Sequence, residues 1–248
     1  MWKAFVLTAV SAVGLAAGTA GAGVVRFPAF PTGCARSDFR SGDVAVRGEL
    51  CRAGRPSDRV AIVLYGCGGF SGFDHRLAVE LPRLGIDTFE IDYFARTPPP
   101  GRDGFCGARG AVPAAFPLWL RTVADAAAHL RALPGGPPRQ LEVVGWSLGS
   151  GVAVASALAG VRFSALAGFS TGSFGITDAD ARTLPPTILL SGGSSDAIPL
   201  AETLRLYRAL RAAHRPAALY VYPHGSHQWP GSQGSLGIRR AAAFLRRY

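Results

Sequence analysis

A chain of 248 residues, 48% hydrophobic and only 17% charged, carries enough apolar material for one large α/β domain or two small ones, which excludes wholesale disorder. Its formal net charge of +10 is almost entirely arginine, Lys3 being the one lysine. Apart from Arg239-Arg240 and Arg246-Arg247 the arginines are scattered, with no basic face interleaved with aromatics, so nucleic acid is not an expected partner.

Met1-Trp2-Lys3 reads as a positive leader, Ala4 to Ala17 as an apolar stretch and Ala20-Gly21-Ala22 as an A-x-A cleavage site. This predicts a signal peptide over residues 1–22 and a mature chain from Gly23, which we expect to form a single domain, 23–248. The apolar stretch falls short of the roughly 20 residues of a membrane span, and no later segment is long and apolar enough to cross a bilayer. Export would permit disulfides among Cys34, Cys51, Cys67 and Cys106, and four cysteines allow three pairings. None has a CxxC or Cys/His spacing, so no metal site is read.

Residues 23–42 look irregular. Asp43 to Cys51 alternates apolar and polar residues like an edge strand, and "RVAIVLYG" (59–66) reads as a strand buried on both faces. Residues 74–84 suit a helix, "IDTFEIDY" a strand, and the Pro- and Gly-rich 95–115 a long loop. Phe116 to Leu133 is a predicted helix, stopped by Pro134-Gly135-Gly136. The strand "QLEVVG" leads to a small-residue helix, Leu148 to Ala159. "FSALAGF" is a strand followed by a loop to Arg182. Then come the strand "PTILLSG", a helix over Pro199 to Ala213, the strand "AALYVYP" and a last helix over 234–247. This alternation predicts an α/β fold, a mostly parallel sheet with helices on both faces.

Between the strand at 140–145 and its helix lies Gly145-Trp146-Ser147-Leu148-Gly149, a G-x-S-x-G pattern in the strand-to-helix setting that it requires. A strand turning abruptly into a helix strains its middle residue and lifts the hydroxyl clear of the sheet, which makes Ser147 a candidate nucleophile. Such a serine needs a base and an orienting acid, in the chain order Ser, acid, His. "TILLSGGSSDAIP" puts Asp196 in the loop leaving a strand; Asp178 and Asp180 follow no obvious strand end. "LYVYPHGSHQW" offers His224 and His227. His227, after the small residues Gly225 and Ser226, has more freedom to reach the serine, with His224 in reserve. The amide of Leu148 and that of Cys67, in the glycine-rich "LYGCGGFSGF", are the candidate oxyanion donors.

These stretches, together with "EIDYFARTPPPG", resemble the α/β-hydrolase superfamily and, within it, the dienelactone hydrolase-like branch, over roughly residues 43–247. The resemblance implies the α/β-hydrolase fold, a nucleophile–His–Asp triad at Ser147, His227 and Asp196, and cleavage of esters or lactones without a cofactor. It also shows departures. The founding dienelactone hydrolases use a cysteine nucleophile tuned by a glutamate in the oxyanion loop, where this chain has Ser147 and Gly66. Many relatives begin that loop with His-Gly, where this chain has Tyr65-Gly66. The implied layout opens the loops of Cys67 and Cys106 at one edge of the sheet, suggesting a Cys67–Cys106 bridge, with Cys34–Cys51 tying the N-terminal arm to the first strand. Phe70, Phe94 and Trp229 are the candidates for an apolar acyl or aryl pocket, whereas Trp119, on a helix, is expected in the core. The expectation is an exported serine hydrolase acting on small-molecule esters. A thioesterase or peptidase on the same triad, and an inactive secreted binding protein on a hydrolase scaffold, are the alternatives.

Overall fold

The computed structural model describes residues 33–70, 72–97, 106, 112–134 and 138–248; the expected signal peptide lies outside them. In chain order the strands are β1 (Cys34–Arg36), β2 (Phe39–Ser41), β3 (Val44–Val46), β4 (Gly48–Cys51), β5 (Arg59–Leu64), β6 (Asp87–Ile91), β7 (Gln140–Trp146), β8 (Leu166–Phe169), β9 (Thr187–Ser191) and β10 (Ala217–Val221). The helices are α1 (Gly72–Arg83), α2 (Val112–Arg131), α3 (Leu148–Leu158), α4 (Asp178–Ala181), α5 (Leu200–Ala212) and α6 (Gly231–Leu245).

Eight strands form one sheet in the order β1-β4-β6-β5-β7-β8-β9-β10, and β2 and β3 form a separate hairpin. From β6 to β10 all neighbours run parallel, while β1 and β4 are antiparallel. The reason lies in the side-chain period of two. Along β5, Val60, Ile62 and Leu64 enter one core with Trp119 and Val123 of α2, Val152 of α3 and Leu206 of α5. Ala61 and Val63 enter a second core with Leu77 of α1 and Ile238 of α6. A strand apolar at every position therefore requires a helical layer on each face. Among the described residues no helix is long and apolar enough to cross a membrane.

Local departures from the sequence reading have physical causes. The single edge strand expected over 43–51 is two strands that part at Arg47: β3 pairs with β2, inside the region expected to be irregular, and β4 enters the main sheet. Gly48 permits the crossing, since a Cβ there would run into the Phe89 ring and sit 2.5 Å from the Ser37 carbonyl oxygen. Helix α2 starts at Val112, inside the expected long loop; Pro113 falls in its first turn, where the missing N–H costs no helical hydrogen bond. The expected loop to Arg182 contains α4, started by a capping box between Thr177 and Asp180. Trp119 is fully buried, as expected, and donates through Nε1 to Thr97 Oγ1 at 2.9 Å.

Candidate active site

Strand register brings the carboxyl ends of three neighbouring strands together: Leu64 lies beside Gly145, and Trp146 beside Phe169. At this edge β7 breaks into α3 through one residue, Ser147, at φ 55° and ψ −119°. Holding a non-glycine residue there costs about 1–3 kcal/mol, which the surroundings must impose. They do so through the Ser147 amide, which donates to the Phe169 carbonyl at 2.9 Å, and the Ser147 carbonyl, which accepts from the Ser150 amide at 3.0 Å. The flanking glycines are sites of close approach. A Cβ on Gly145 would lie 2.5 Å from Ser150 Cα, and one on Gly149 would lie 2.6 Å from the Leu64 carbonyl carbon. Ser147 stands directly before α3 but does not cap the helix with its side chain, so the hydroxyl is available elsewhere.

It meets His227. Nε2 of His227 lies 3.0 Å from Ser147 Oγ, and Nδ1 lies 2.6 Å from Asp196 Oδ1. His227 comes from the loop between β10 and α6, and its carbonyl accepts from Trp146 Nε1 at 2.8 Å. The same loop is closed by Gln233, whose side chain accepts from the Ser226 amide at 2.9 Å and donates to the Ser226 carbonyl at 3.0 Å. His224 is exposed near the start of this loop. Asp196 follows β9 after a short 3-10 turn, Gly193–Ser195. Its side chain is fully buried, that of His227 17% exposed.

Asp196 receives four donors. Its Oδ1 takes His227 Nδ1 and the Ile198 amide at 3.0 Å; its Oδ2 takes the Gly192 amide at 2.8 Å and Ser170 Oγ at 2.6 Å. Burial pushes this carboxyl up, but the hydrogen bonds from His227, Ser170, Ile198 and Gly192 together outweigh it and hold the group below the usual aspartate value. The acid is thus ionised and fixed in orientation. Asp178 and Asp180 lie in and cap the short α4 instead.

Beside Ser147 runs the glycine-rich loop after β5. A Cβ on Gly66 would sit 3.4 Å from Ser147 Cβ and 3.0 Å from the Trp146 ring. Trp146 therefore crowds any side chain at position 66. The Gly69 amide closes the turn onto the Gly66 carbonyl at 3.1 Å. Cys67 follows, bonded to Cys106, and Cys34 is bonded to Cys51. Leu148 opens α3, whose N-terminal partial positive charge faces the serine. Tyr65 anchors the loop: its hydroxyl donates to Asp92 Oδ1 at 2.7 Å and accepts from the Phe94 amide at 3.0 Å. Burial, reinforced by the Asp92 charge, holds this phenol well above its usual range, so it stays a donor.

The aromatic candidates divide. Phe70 is partly exposed and packs on Tyr65 at 4.6 Å between ring centroids. Phe94, 1% exposed, and Trp229, fully buried, do not line a pocket, which corrects the expectation for both. Phe94 packs between Tyr93 and Trp119, and Trp229 among Phe73, Phe169 and Tyr222. Ser170, which the sequence reading passed over, joins the site through Asp196; its signal was a hydroxyl residue immediately after a strand end, in "GFSTGS". Among the described residues one group of three could offer metal ligands, Cys34, Glu49 and Cys51, and its two sulfurs are joined in a disulfide.

The sheet order, the strand-to-helix turn at Ser147 and the placement of acid and histidine after later strands define an α/β-hydrolase fold. The profile of the dienelactone hydrolase family matches residues 116–244, just over half of the chain, and the chain belongs to that family of hydrolases acting on ester bonds. Among solved structures it is similar to a dienelactone hydrolase from Anabaena variabilis (TM-score 0.71, 18% identity, covering 87% of this chain and 97% of that one). It is also similar to a dienelactone hydrolase-like promiscuous phosphotriesterase from metagenomic libraries (TM-score 0.73, 13% identity, 86% and 97%). A third is an esterase from Pyrococcus furiosus (TM-score 0.67, 16% identity, 87% and 92%). At these identities the likeness is one of fold. No curated protein sequence matches the chain.

Proposed function

We propose that the chain is an exported serine hydrolase that cleaves small-molecule carboxylic esters or lactones through Ser147, His227 and Asp196. The observation that carries this reading is the position of His227 between Ser147 Oγ, 3.0 Å away, and Asp196 Oδ1, 2.6 Å away. Ser147 Oγ attacks the ester carbonyl as His227 Nε2 takes its proton. The negative oxygen of the tetrahedral intermediate is held by the amides of Cys67 and Leu148. Collapse expels the alcohol, protonated by His227, and leaves an acyl-enzyme. His227 then takes a proton from water, which attacks the acyl carbon, and returns that proton to Ser147 Oγ as the acid is released. Asp196 orients the imidazole and stabilises its cation. Serine needs no neighbouring carboxylate to manage a thiolate, in keeping with Gly66 and the ring of Trp146 beside it.

Export is supported by two disulfides, Cys34–Cys51 and Cys67–Cys106, which persist in oxidising compartments. It accords with reading residues 1–22 as a cleaved signal and 23–248 as one domain. Hydrolysis of p-nitrophenyl esters from acetate to long acyl chains tests the chemistry. The mature protein is expected to turn over at least one of them, and Ser147→Ala to lose on the order of 10³-fold or more in kcat. Undiminished activity in Ser147→Ala would refute the serine as nucleophile.

A further inference from the structure

We propose that Ser170 and Trp229 form a directed hydrogen-bond relay that holds the Asp196 carboxylate in register with His227, with Ser170 as a positioning residue for the acid. This rests on Asp196 being the acid of the site. Of the four donors to Asp196, the Gly192 and Ile198 amides belong to its own turn and His227 is the group to be oriented. Ser170 Oγ, at 2.6 Å, is the one that ties the carboxylate to another strand end, that of β8.

The direction of the relay follows from donor chemistry. An indole N–H can only donate, and Trp229 Nε1 lies 3.0 Å from Ser170 Oγ. Ser170 therefore accepts from Trp229, and its one hydroxyl proton points at Asp196 Oδ2. Both side chains are fully or almost fully buried, at 0% relative exposure for each residue, so water does not compete for either bond. Trp229 stands two residues beyond His227 in the same loop. The bonds Trp229 to Ser170, Ser170 to Asp196 and Asp196 to His227 thus close a circuit that returns to the histidine's own loop.

Two of its corners are backbone outliers. Ser170 has φ 51° and Trp229 φ 50°, values that a non-glycine residue keeps only when its surroundings demand it. For Ser170 the demand is visible: its amide donates to the Leu190 carbonyl at 2.7 Å across to β9, the strand from which Asp196 emerges. The strain is thus held where it aims a hydroxyl at the acid.

The test uses the mature protein and an ester that it turns over, with Ser170→Ala, Ser170→Gly, Trp229→Phe and the Ser170→Ala/Trp229→Phe double variant. Glycine accepts the positive φ, so Ser170→Gly serves if the alanine variant folds poorly. Both Ser170 variants are expected to lose about tenfold in kcat at unchanged KM, the order set by one hydrogen bond to a charged acceptor. Trp229→Phe, which frees the hydroxyl to turn, loses less, and the double variant loses no more than Ser170→Ala. The far-downfield proton resonance of the His227–Asp196 hydrogen bond is expected to move in every one, a change that lost packing alone would not produce. Wild-type kcat in both Ser170 variants overturns the proposal, as do Ser170 and Trp229 effects that multiply while the resonance stays in place. Failure of the underlying site reading looks different: there Asp196→Asn or Ser147→Ala would retain activity.

Discussion

A Cβ on Gly149 would press on the Leu64 carbonyl carbon at 2.6 Å and on the carbonyl oxygens of Leu64 and Tyr65, all backbone atoms of β5 and its exit. Nothing there can rotate away, so α3 must lift from the sheet and carry Ser147 with it. Gly149→Ala is expected to cost about 1–3 kcal/mol of stability, as overpacking does, and to depress esterase activity sharply. Gly68→Ala is the control, since a Cβ there has open space and the melting temperature is expected to hold. Thermal unfolding of the two variants checks both. At this scale the sequence was informative where the determinant is local. The strain at Ser147 and the need for Gly145 and Gly149 follow from a strand meeting a helix within five residues. Ser170 was not legible, because its partner lies in the loop after β9 and its orienting donor in the loop after β10, and only the sheet order makes them neighbours. Trp229 was misread for a related reason. A loop aromatic can turn toward substrate or core, and its choice here follows from Phe73, Phe169 and Ser170, which are distant in sequence.

Among the elements, the loop after β5 is tied to Cys106 by the Cys67–Cys106 bridge. Cys67 is also the residue whose amide is proposed to hold the oxyanion. A constraint on its side chain is therefore a constraint on the donor. In the Cys67→Ser/Cys106→Ser double variant, stability is expected to fall by about 3–4 kcal/mol, from the loop-closure entropy of the unfolded chain, and kcat to fall at temperatures where the protein is still folded. Circular dichroism and ester turnover on the same sample separate the two effects; full turnover in folded protein would show that the bridge does not set the donor. The alternation of strands and helices was legible because parallel strands buried on both faces must be apolar throughout, and the helices between them carry a different period. The β2–β3 hairpin was hidden, since Phe39–Ser41 is too short to show alternation and Val44–Val46 runs on into β4 as one alternating stretch. The start of α2 was hidden by proline, which reads as loop although a helix accepts it in its first turn.

For the whole molecule, two buried carboxylates pull stability in opposite directions with pH. Glu142 lies inside β7, ion-paired to Arg59 at 2.9 Å, and the same Arg59 nitrogen donates to the Leu245 carbonyl at 2.9 Å, linking β5, β7 and α6. Burial nevertheless dominates over Arg59 and pushes the Glu142 carboxyl from 4.5 up to about 7. The folded state thus binds a proton more tightly than the unfolded state. The stability this group contributes is present below its unfolded value and lost as pH rises from about 4.5 to about 7. Asp196 has the reverse sign. Its folded value is below 3.8, so its contribution is present above the unfolded value and lost as pH falls through the folded one. In Glu142→Gln the carbonyl still accepts from Arg59 but does not titrate. Its melting temperature is therefore expected to gain on the parent as pH rises from about 4.5 to about 7. Differential scanning calorimetry across that range checks this, and an unchanged difference between the two proteins would remove Glu142 as the cause.

The second bridge acts at the rim of the sheet. Cys34 and Cys51 stand opposite each other in the β1–β4 register, and β1 is only three residues long, too short to hold its place by backbone pairing alone. With the bridge intact, the outer side of β4 is occupied by the molecule's own chain. Once it is reduced, β1 can peel away, and β4 presents a bare row of amides and carbonyls to any passing strand, including β4 of another copy. The two disulfides thus constrain different places: Cys67–Cys106 the loop beside Ser147, and Cys34–Cys51 the sheet edge at which molecules would otherwise zip together into aggregates in a thiol-rich medium.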